Sequence, residues 1–313
     1  MGTHDGRFHA DEVMATAILN EIYDLEIVRT RDTEVLKSLD IVYDVGDGEF
    51  DHHRVEKEQR ENGTPYAACG LIWRRFGRMA VGSRATWMSQ EEIDGVWKNI
   101  DRLLIEGIDA QDNGVRTNIT IIPTTSFSML ITEFNPAWDR DDRDSSKYFD
   151  NAVRFAEIVL DNALNQQIST VKARGKVLEA YNNRVRPEIL VLEDSYPWQR
   201  ILPRIDSNKE VLYTVFPRDG EFLLQTVRGG GANRDRKKLP AAWAGKREAE
   251  LGQIIGIEDA IFCHPGRFIA GADSFDSIMK MADLAVAEPE EKKPQGFLYN
   301  LKKLLFGKVI LRD

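Results

Sequence analysis

Five histidines occur in the 313 residues of this chain, and four of them lie in two short segments. The first is Gly2-Thr3-His4-Asp5-Gly6-Arg7-Phe8-His9-Ala10-Asp11-Glu12, and the second is Asp44-Val45-Gly46-Asp47-Gly48-Glu49-Phe50-Asp51-His52-His53. Neutral imidazole and carboxylate are ligands that suit Mn, Fe or Zn. A lone histidine beside an aspartate is ordinarily a hydrogen-bonded surface or core residue. Asp44 alone reads as a turn cap and Asp109 as the start of a turn. Together, His4, His9, Asp11, Asp44, His52, His53 and Asp109 read as a metal site, provided that the fold brings them to one place.

The surrounding residues indicate how it could. Met1 to Thr3 supplies the end of a first strand, and apolar residues at helical spacing from Val13 to Ile22 predict a helix over 10–23, with Asp11 and Glu12 suiting the dipole of its first turn. Residues 26–30 and 40–46 read as strands and 33–38 as a short helix. Strands alternating with helices predict a parallel sheet, and such sheets bind ligands beyond the carboxyl ends of their strands. His4, Asp44 and the Asp51 segment each follow a strand-like run. Residues 54–64 read as a mobile polar loop, and a helix beginning at 66–73 is expected to stop near Gly77. Over 91–106 an amphipathic helix sets Ile93, Val96, Trp97, Ile100, Leu103 and Leu104 on one side. It delivers Gly107-Ile108-Asp109-Ala110-Gln111-Asp112-Asn113-Gly114, read as an acidic turn.

The chain length allows two domains, each with its own core. A net charge of −9 excludes a protein that coats nucleic acid by bulk charge, so a nucleic-acid substrate needs a local basic patch. Cys69 and Cys263 form no disulfide framework, which fits a reducing, cytoplasmic setting. No apolar run resembles a signal peptide or reaches spanning length. The six tryptophans, Trp73, Trp87, Trp97, Trp138, Trp198 and Trp243, are most simply core residues, with base stacking as the alternative for Trp243.

Residues 146–184 suit one long helix, roughly 50 to 60 Å at ~1.5 Å per residue, a natural connector between domains. Beyond it, 189–192, 211–216 and 222–227 read as strands, with a hairpin turn at Arg218-Asp219-Gly220-Glu221. The run from Arg228 through Gly229, Gly230, Gly231 and Arg234 to Arg236, Lys237 and Lys238 is a glycine-rich basic loop that can hold an oxyanion, unless it is simply solvated. His264 and Arg267 follow a strand in the same region; each is a phosphate contact, or His264 is a capped core residue. The expected organisation is 1–145 for the metal domain, 146–186 for a connecting helix, 187–288 for a smaller α/β substrate domain, and 289–313 for a linker and amphipathic tail helix. That tail is expected to pack on the body or on a second subunit, with contact to a membrane surface as the alternative, which leaves a homodimer open.

Asp51-His52-His53 is the signature of the DHH phosphoesterase superfamily, which includes RecJ-type exonucleases and family II inorganic pyrophosphatases. The chain most closely resembles the family of the melanocyte-proliferating-gene exonuclease and its bacterial relatives. The resemblance rests on residues 2–12, 27–32, 51–53 and 108–114, on Pro240-Ala241-Ala242-Trp243-Ala244-Gly245 and on Phe262-Cys263-His264-Pro265-Gly266-Arg267-Phe268-Ile269. It implies a parallel-sheet α/β domain with a smaller α/β partner, and catalysis in the crevice between two lobes. It also implies a divalent metal, Mn2+ by preference, as one or two ions. His4, His9 and Asp44 would hold one ion; Asp11, Asp44, His52 and Asp109 would hold a second, with Asp44 bridging. His53 would face the substrate phosphate, with Asp51 orienting an imidazole. The implied chemistry is phosphodiester hydrolysis by metal-activated water, on RNA or short oligonucleotides. A small phosphate compound, such as pyrophosphate or a cyclic dinucleotide, is the alternative substrate, and a non-catalytic binding module is the alternative role. One departure stands out: the pyrophosphatase and RecJ pattern has aspartate where His9 stands, one residue closer to His4. A less anionic first site opens single-metal occupancy.

Overall fold

The N-terminal strand is two residues long, yet three extended segments meet at it. In the computed structural model, which describes residues 1–115, 124–141, 145–229 and 235–289, β1 (Gly2–Thr3) pairs in parallel with β2 (Val28–Arg29). On its other side Gly2 bridges Val42, again in parallel, and Tyr43 N–H donates to the Gly2 carbonyl at 3.0 Å. The strand expected over 40–46 is therefore cut to bridges at Val42 and Tyr43. Asp44 has φ +59° and Gly46 φ +87°, so the chain leaves the extended region at the residue whose side chain is needed in the site. The protein is mixed α/β with parallel pairing, as expected.

Behind this sheet, α1 (Ala10–Asn20) is buried from Ala10 to Leu19. It packs on α3 (Ala68–Arg84), between β2 and which lies the short α2 (Thr33–Lys37). The α3 helix does not stop at Gly77. A Cβ there would come within 2.5 Å of the Trp73 ring, so this glycine admits the indole rather than ending the helix. The expected helix over 91–106 is three pieces: α4 (Gln90–Ile100), a wide π turn (Asp101–Ile105) and α5 (Glu106–Asp112). The wide turn shifts the apolar register, burying Ile105 and Ile108 while Leu103 is 62% exposed. Residues 107–112, read as a turn, are thus helical. The segment 54–64 is not a loose loop throughout, because the Arg60 side chain is buried. After α6 (Phe127–Thr132) comes α7 (Ser145–Asn182), 38 residues long. Phe149, Val153, Leu160 and Leu164 of α7 join the core formed by Phe8, Met14, Ile18, Tyr43 and Trp73.

The chain forms two units, Met1–Lys172 and one beginning at Ala173, so the division falls inside α7. The second unit contains a five-stranded sheet of β3 (Ile189–Val191), β4 (Tyr213–Arg218), β5 (Glu221–Thr226), β6 (Ala260–Cys263) and β7 (Ile269–Ala272), in the order β3-β4-β5-β7-β6. Only β3 and β4 run parallel. The β4–β5 hairpin turns through Asp219 and Gly220, both at positive φ, as a two-residue hairpin requires. Alternate residues feed two cores. Val215 and Leu224 face α9 (Glu248–Ile255) and α10 (Phe275–Ala287), while Phe216 and Leu223 face Ala173 and Val177 of α7 and α8 (Trp198–Ile205). No described helix is long and apolar enough to cross a membrane. Of the tryptophans expected in the core, Trp73, Trp198 and Trp243 are buried, but Trp87 is 55% and Trp138 84% exposed. The tail helix expected after residue 289 lies outside the described residues.

Candidate metal centre

The cluster assembles where β1 and the 42–43 segment end and α1 begins. His4, directly after β1, is buried; its Nδ1 lies 2.9 Å from the Asp5 carbonyl, which turns Nε2 inward. That Nε2 is 3.0 Å from Glu12 Oε1 and 3.2 Å from Asp44 Oδ2. Glu12 is held from the other side, because its carboxylate accepts the His9 N–H at 2.8 Å and closes the start of α1. The second Asp44 oxygen lies 3.1 Å from His52 Nε2, which also stands 3.2 Å from Asp112 Oδ2 and 3.5 Å from Asp11 Oδ2. Asp44 thus sits between two imidazoles with one oxygen toward each. Exposed His53 is fixed by Asp51, whose Oδ1 lies 2.9 Å from its Nδ1, and Asp51 in turn accepts the backbone N–H groups of Asp47 and His53. Among the described residues, three donor sets have ligand atoms within 4.8 Å of one another: His4, His9, Glu12 and Asp44; Asp44, His52 and His53; and His9, Asp11 and Asp112. Of these residues His9, Asp44, His52, His53 and Asp112 line a cavity of about 430 Å³.

Four carboxylates, Asp11, Glu12, Asp44 and Asp112, therefore face the imidazoles. Burial, then the charges of Asp44, Glu12 and Asp112, hold the Asp11 carboxyl well above the ordinary carboxylate range. Burial disfavours the His4 cation, but Asp44 and Glu12 outweigh it and push the imidazole up to about 10. Burial likewise opposes ionisation of Asp44, yet His4 and His52 pull it down to about 2. The cluster is short of positive charge and draws protons to supply it. A divalent cation fits this donor set: imidazole and carboxylate on hand, negative charge in excess, and a buried Asp11 Oδ1 with no hydrogen-bond partner among the described residues.

Comparison with known proteins gives the relationship. The MYG1 exonuclease family model, described as an uncharacterised protein family (UPF0160), matches residues 1–286. The chain belongs to the MYG1 exonuclease family. The bovine MYG1 exonuclease is 32% identical over 94% of this chain and 86% of its own length. The human MYG1 exonuclease is 30% identical, over 92% and 86% respectively. The MYG1 protein of Schizosaccharomyces pombe is 26% identical, over 93% and 98%. Among solved structures, Thermus thermophilus RecJ in complex with Mg2+ is 14% identical with a TM-score of 0.28, covering 93% of this chain and 50% of that one. That score is too low to carry an argument about the site.

Two features of this MYG1-family cluster differ from the expected ligand set. Asp109 does not face it with His52. Its Oδ2 lies 2.8 Å from Arg60 Nη2, and its Oδ1 accepts from the Gly70 N–H at 3.0 Å and the Cys69 thiol at 3.1 Å. A Cβ at Gly70 would stand 1.8 Å from Asp109 Oδ2, so only glycine permits this approach. One helical turn on, Asp112 takes the place expected for Asp109. Glu12 is the second addition. Its spacing three residues after His9 was a visible signal, but the dipole of α1 explained it as well.

In the second unit, Arg228 is exposed and its backbone forms an antiparallel β-bridge with Asp235, and Gly229 follows it; Gly230, Gly231 and Arg234 lie outside the described residues. Not all of the basic run is available to an anion. Arg236 pairs with buried Asp206 and donates to the Val211 carbonyl at 2.7 Å, while Lys237 Nζ donates to the carbonyls of Val286 and Glu288 at the end of α10. His264 is exposed rather than a core residue; its Nδ1 accepts the Gly266 N–H at 2.9 Å, and its ring packs on Phe268. Arg267 has φ +59° and its Nη1 reaches the Leu239 carbonyl at 3.4 Å. Burial opposes ionisation of Asp206, but Arg236 and two backbone N–H groups hold its pKa below the ordinary value. The pair therefore contributes stability above about pH 4, lost as pH falls through the lower folded value. Arg236→Leu, which strands a buried carboxylate, is expected to cost about 3–5 kcal/mol at neutral pH. Chemical denaturation of both proteins at pH 7 and at pH 3 checks this: the gap should narrow in acid.

Proposed function

We propose that this chain is a metal-dependent phosphodiesterase acting as an exonuclease on RNA or short oligonucleotides, with Mn2+ as the preferred ion. The observation that supports the reading most is the position of Asp44, buried between His4 and His52 with one carboxylate oxygen toward each. The curated relatives named as MYG1 exonucleases support it independently. By this reading His4, His9, Glu12 and Asp44 hold one ion, and Asp11, Asp44, His52 and Asp112 hold a second. A divalent cation in such a site supplies Lewis-acid charge for a phosphoryl oxygen and lowers the pKa of water.

The chain's own groups do the rest. Buried Asp44 and Glu12 fix the His4 ring, so the donor set needs little rearrangement on binding. His53 stands at the mouth, oriented by Asp51. With its Nδ1 against Asp51, its Nε2 is the ring nitrogen left to face a phosphate oxygen. The test is incubation of end-labelled single-stranded RNA and DNA with Mn2+ or Mg2+, following mononucleotide release, with pyrophosphate and cyclic dinucleotides in parallel. Release of mononucleotides that stops with EDTA is the expected result. Turnover of pyrophosphate without any oligonucleotide cleavage would move the assignment to a small phosphate substrate.

A further inference from the structure

A trough of about 910 Å³ adjoins the metal cluster within the first unit. Thr132 lines both cavities. Asn135 ties their walls together: its Oδ1 accepts the Phe8 N–H at 3.0 Å and its Nδ2 donates to the Phe8 carbonyl at 2.9 Å. The loop bearing Arg7 and His9 is thereby fixed against the segment that leads to Trp138. Three arginines, Arg7, Arg140 and Arg154, line the trough against one acid, Glu133; Asp139 and Asp141 flank Arg140 in sequence but are not in the lining. Trp138 lines it too, at 84% exposure.

We infer that this trough is a subsite for single-stranded nucleic acid, in which Trp138 stacks a base and Arg7 and Arg154 contact phosphates beside the one being cleaved. The inference rests on the nuclease reading above for its substrate class and adds the residues that would make the substrate a polymer. A chain of net charge −9 has no bulk attraction for nucleic acid, so a locally cationic wall is the feature required. An aromatic ring beside a cationic track is how proteins hold single strands without reading sequence. An acidic peptide would satisfy the arginines but brings no planar base to stack on an exposed indole. A strand whose scissile phosphate lies at the His4–Asp44–His52 cluster carries its next nucleotides past Thr132 and onto the trough.

Binding of a short fluorescent single-stranded oligonucleotide, measured by anisotropy in EDTA, tests this without turnover. Trp138→Ala is expected to weaken binding about tenfold, the loss of one stacked base. Replacing both Arg7 and Arg154 by alanine should lower the slope of log affinity against log salt by about 1.4, at ~0.7 per single-strand phosphate contact. Trp87→Ala, at another exposed tryptophan, should leave the affinity unchanged. Equal affinity for wild type and Trp138→Ala overturns the inference, as does displacement by poly-glutamate as effective as by unlabelled oligonucleotide. Because no divalent ion is present, failure of the nuclease assay would remove the catalytic reading and leave this binding result standing; unchanged binding in Trp138→Ala would do the reverse.

Discussion

Asp44→Asn is expected to lower phosphodiester hydrolysis by roughly 10³-fold or more, equivalent to ~4 kcal/mol of lost transition-state stabilisation. The residue belongs to two of the three donor sets, so one substitution affects both proposed ions. Asparagine keeps the shape but supplies no negative charge and only one acceptor oxygen. The same exchange removes the partner that, with Glu12, pushes His4 up to about 10. The variant should therefore lose metal affinity and activity together. Calorimetric titration with Mn2+, alongside the oligonucleotide assay, separates this from a folding defect: near-native circular dichroism with binding lost is the expected pair of results. Native affinity and native turnover in Asp44→Asn would remove the central support for the proposed function.

Much of this site was legible because it is local. His4, His9 and Asp11 lie within eight residues, and α1 begins between them; helical spacing and a strand-like start were enough to place all three. His52 and His53 were legible from composition, since a pair of histidines after an aspartate is rare in a chain with so few. What escaped was geometry set by backbone departures. The strand expected over 40–46 read as an apolar run, but Asp44 and Gly46 take positive φ, which no hydrophobic pattern encodes. The acidic stretch after Gly107 read as a turn because its acids and glycines match turn composition. The π turn at Asp101–Ile105 instead carries the helix onward and rotates it, which determines which of two aspartates reaches the cluster.

Arg60 was missed for a related reason. It stands in a polar stretch whose composition indicates a solvated loop, and only contacts with residues far along the chain show otherwise. Its guanidinium stacks on Tyr66 at 4.2 Å and pairs with Asp101 at 2.7 Å as well as with Asp109. Trp138 shows the converse. Hydrophobicity assigned it to the core, and only the structure shows that Phe134 and Phe155 pack together nearby while Trp138 stays in solvent. Burial is a property of the whole fold, and side-chain type predicts it only on average.

The positions of Asp109, against Arg60, and Asp112, against His52, yield the second large prediction. Asp112→Asn is expected to lower metal affinity by at least about 100-fold, because loss of a direct ligand should exceed the 10–100-fold typical of outer contacts. Asp109→Asn should leave metal affinity within a few-fold of wild type. Burial raises the Asp109 carboxyl to about 6 despite Arg60, the Cys69 thiol and a backbone N–H. Since the folded value lies above the ordinary one, its ionisation opposes folding increasingly as pH rises from about 4 through 6. Neutralising Asp109 relieves that cost but strands part of Arg60, so its net effect on stability should be small. Arg60→Leu strands Asp109 instead and is expected to cost about 3–5 kcal/mol, a loss that Asp109→Asn in the same chain should largely restore. Mn2+ titration and urea denaturation of the two aspartate variants, Arg60→Leu and the double variant make the comparison. A collapse of metal binding in Asp109→Asn with none in Asp112→Asn would reverse the assignment: the cation would then sit against α3 at Gly70, where Arg60 now holds the carboxylate.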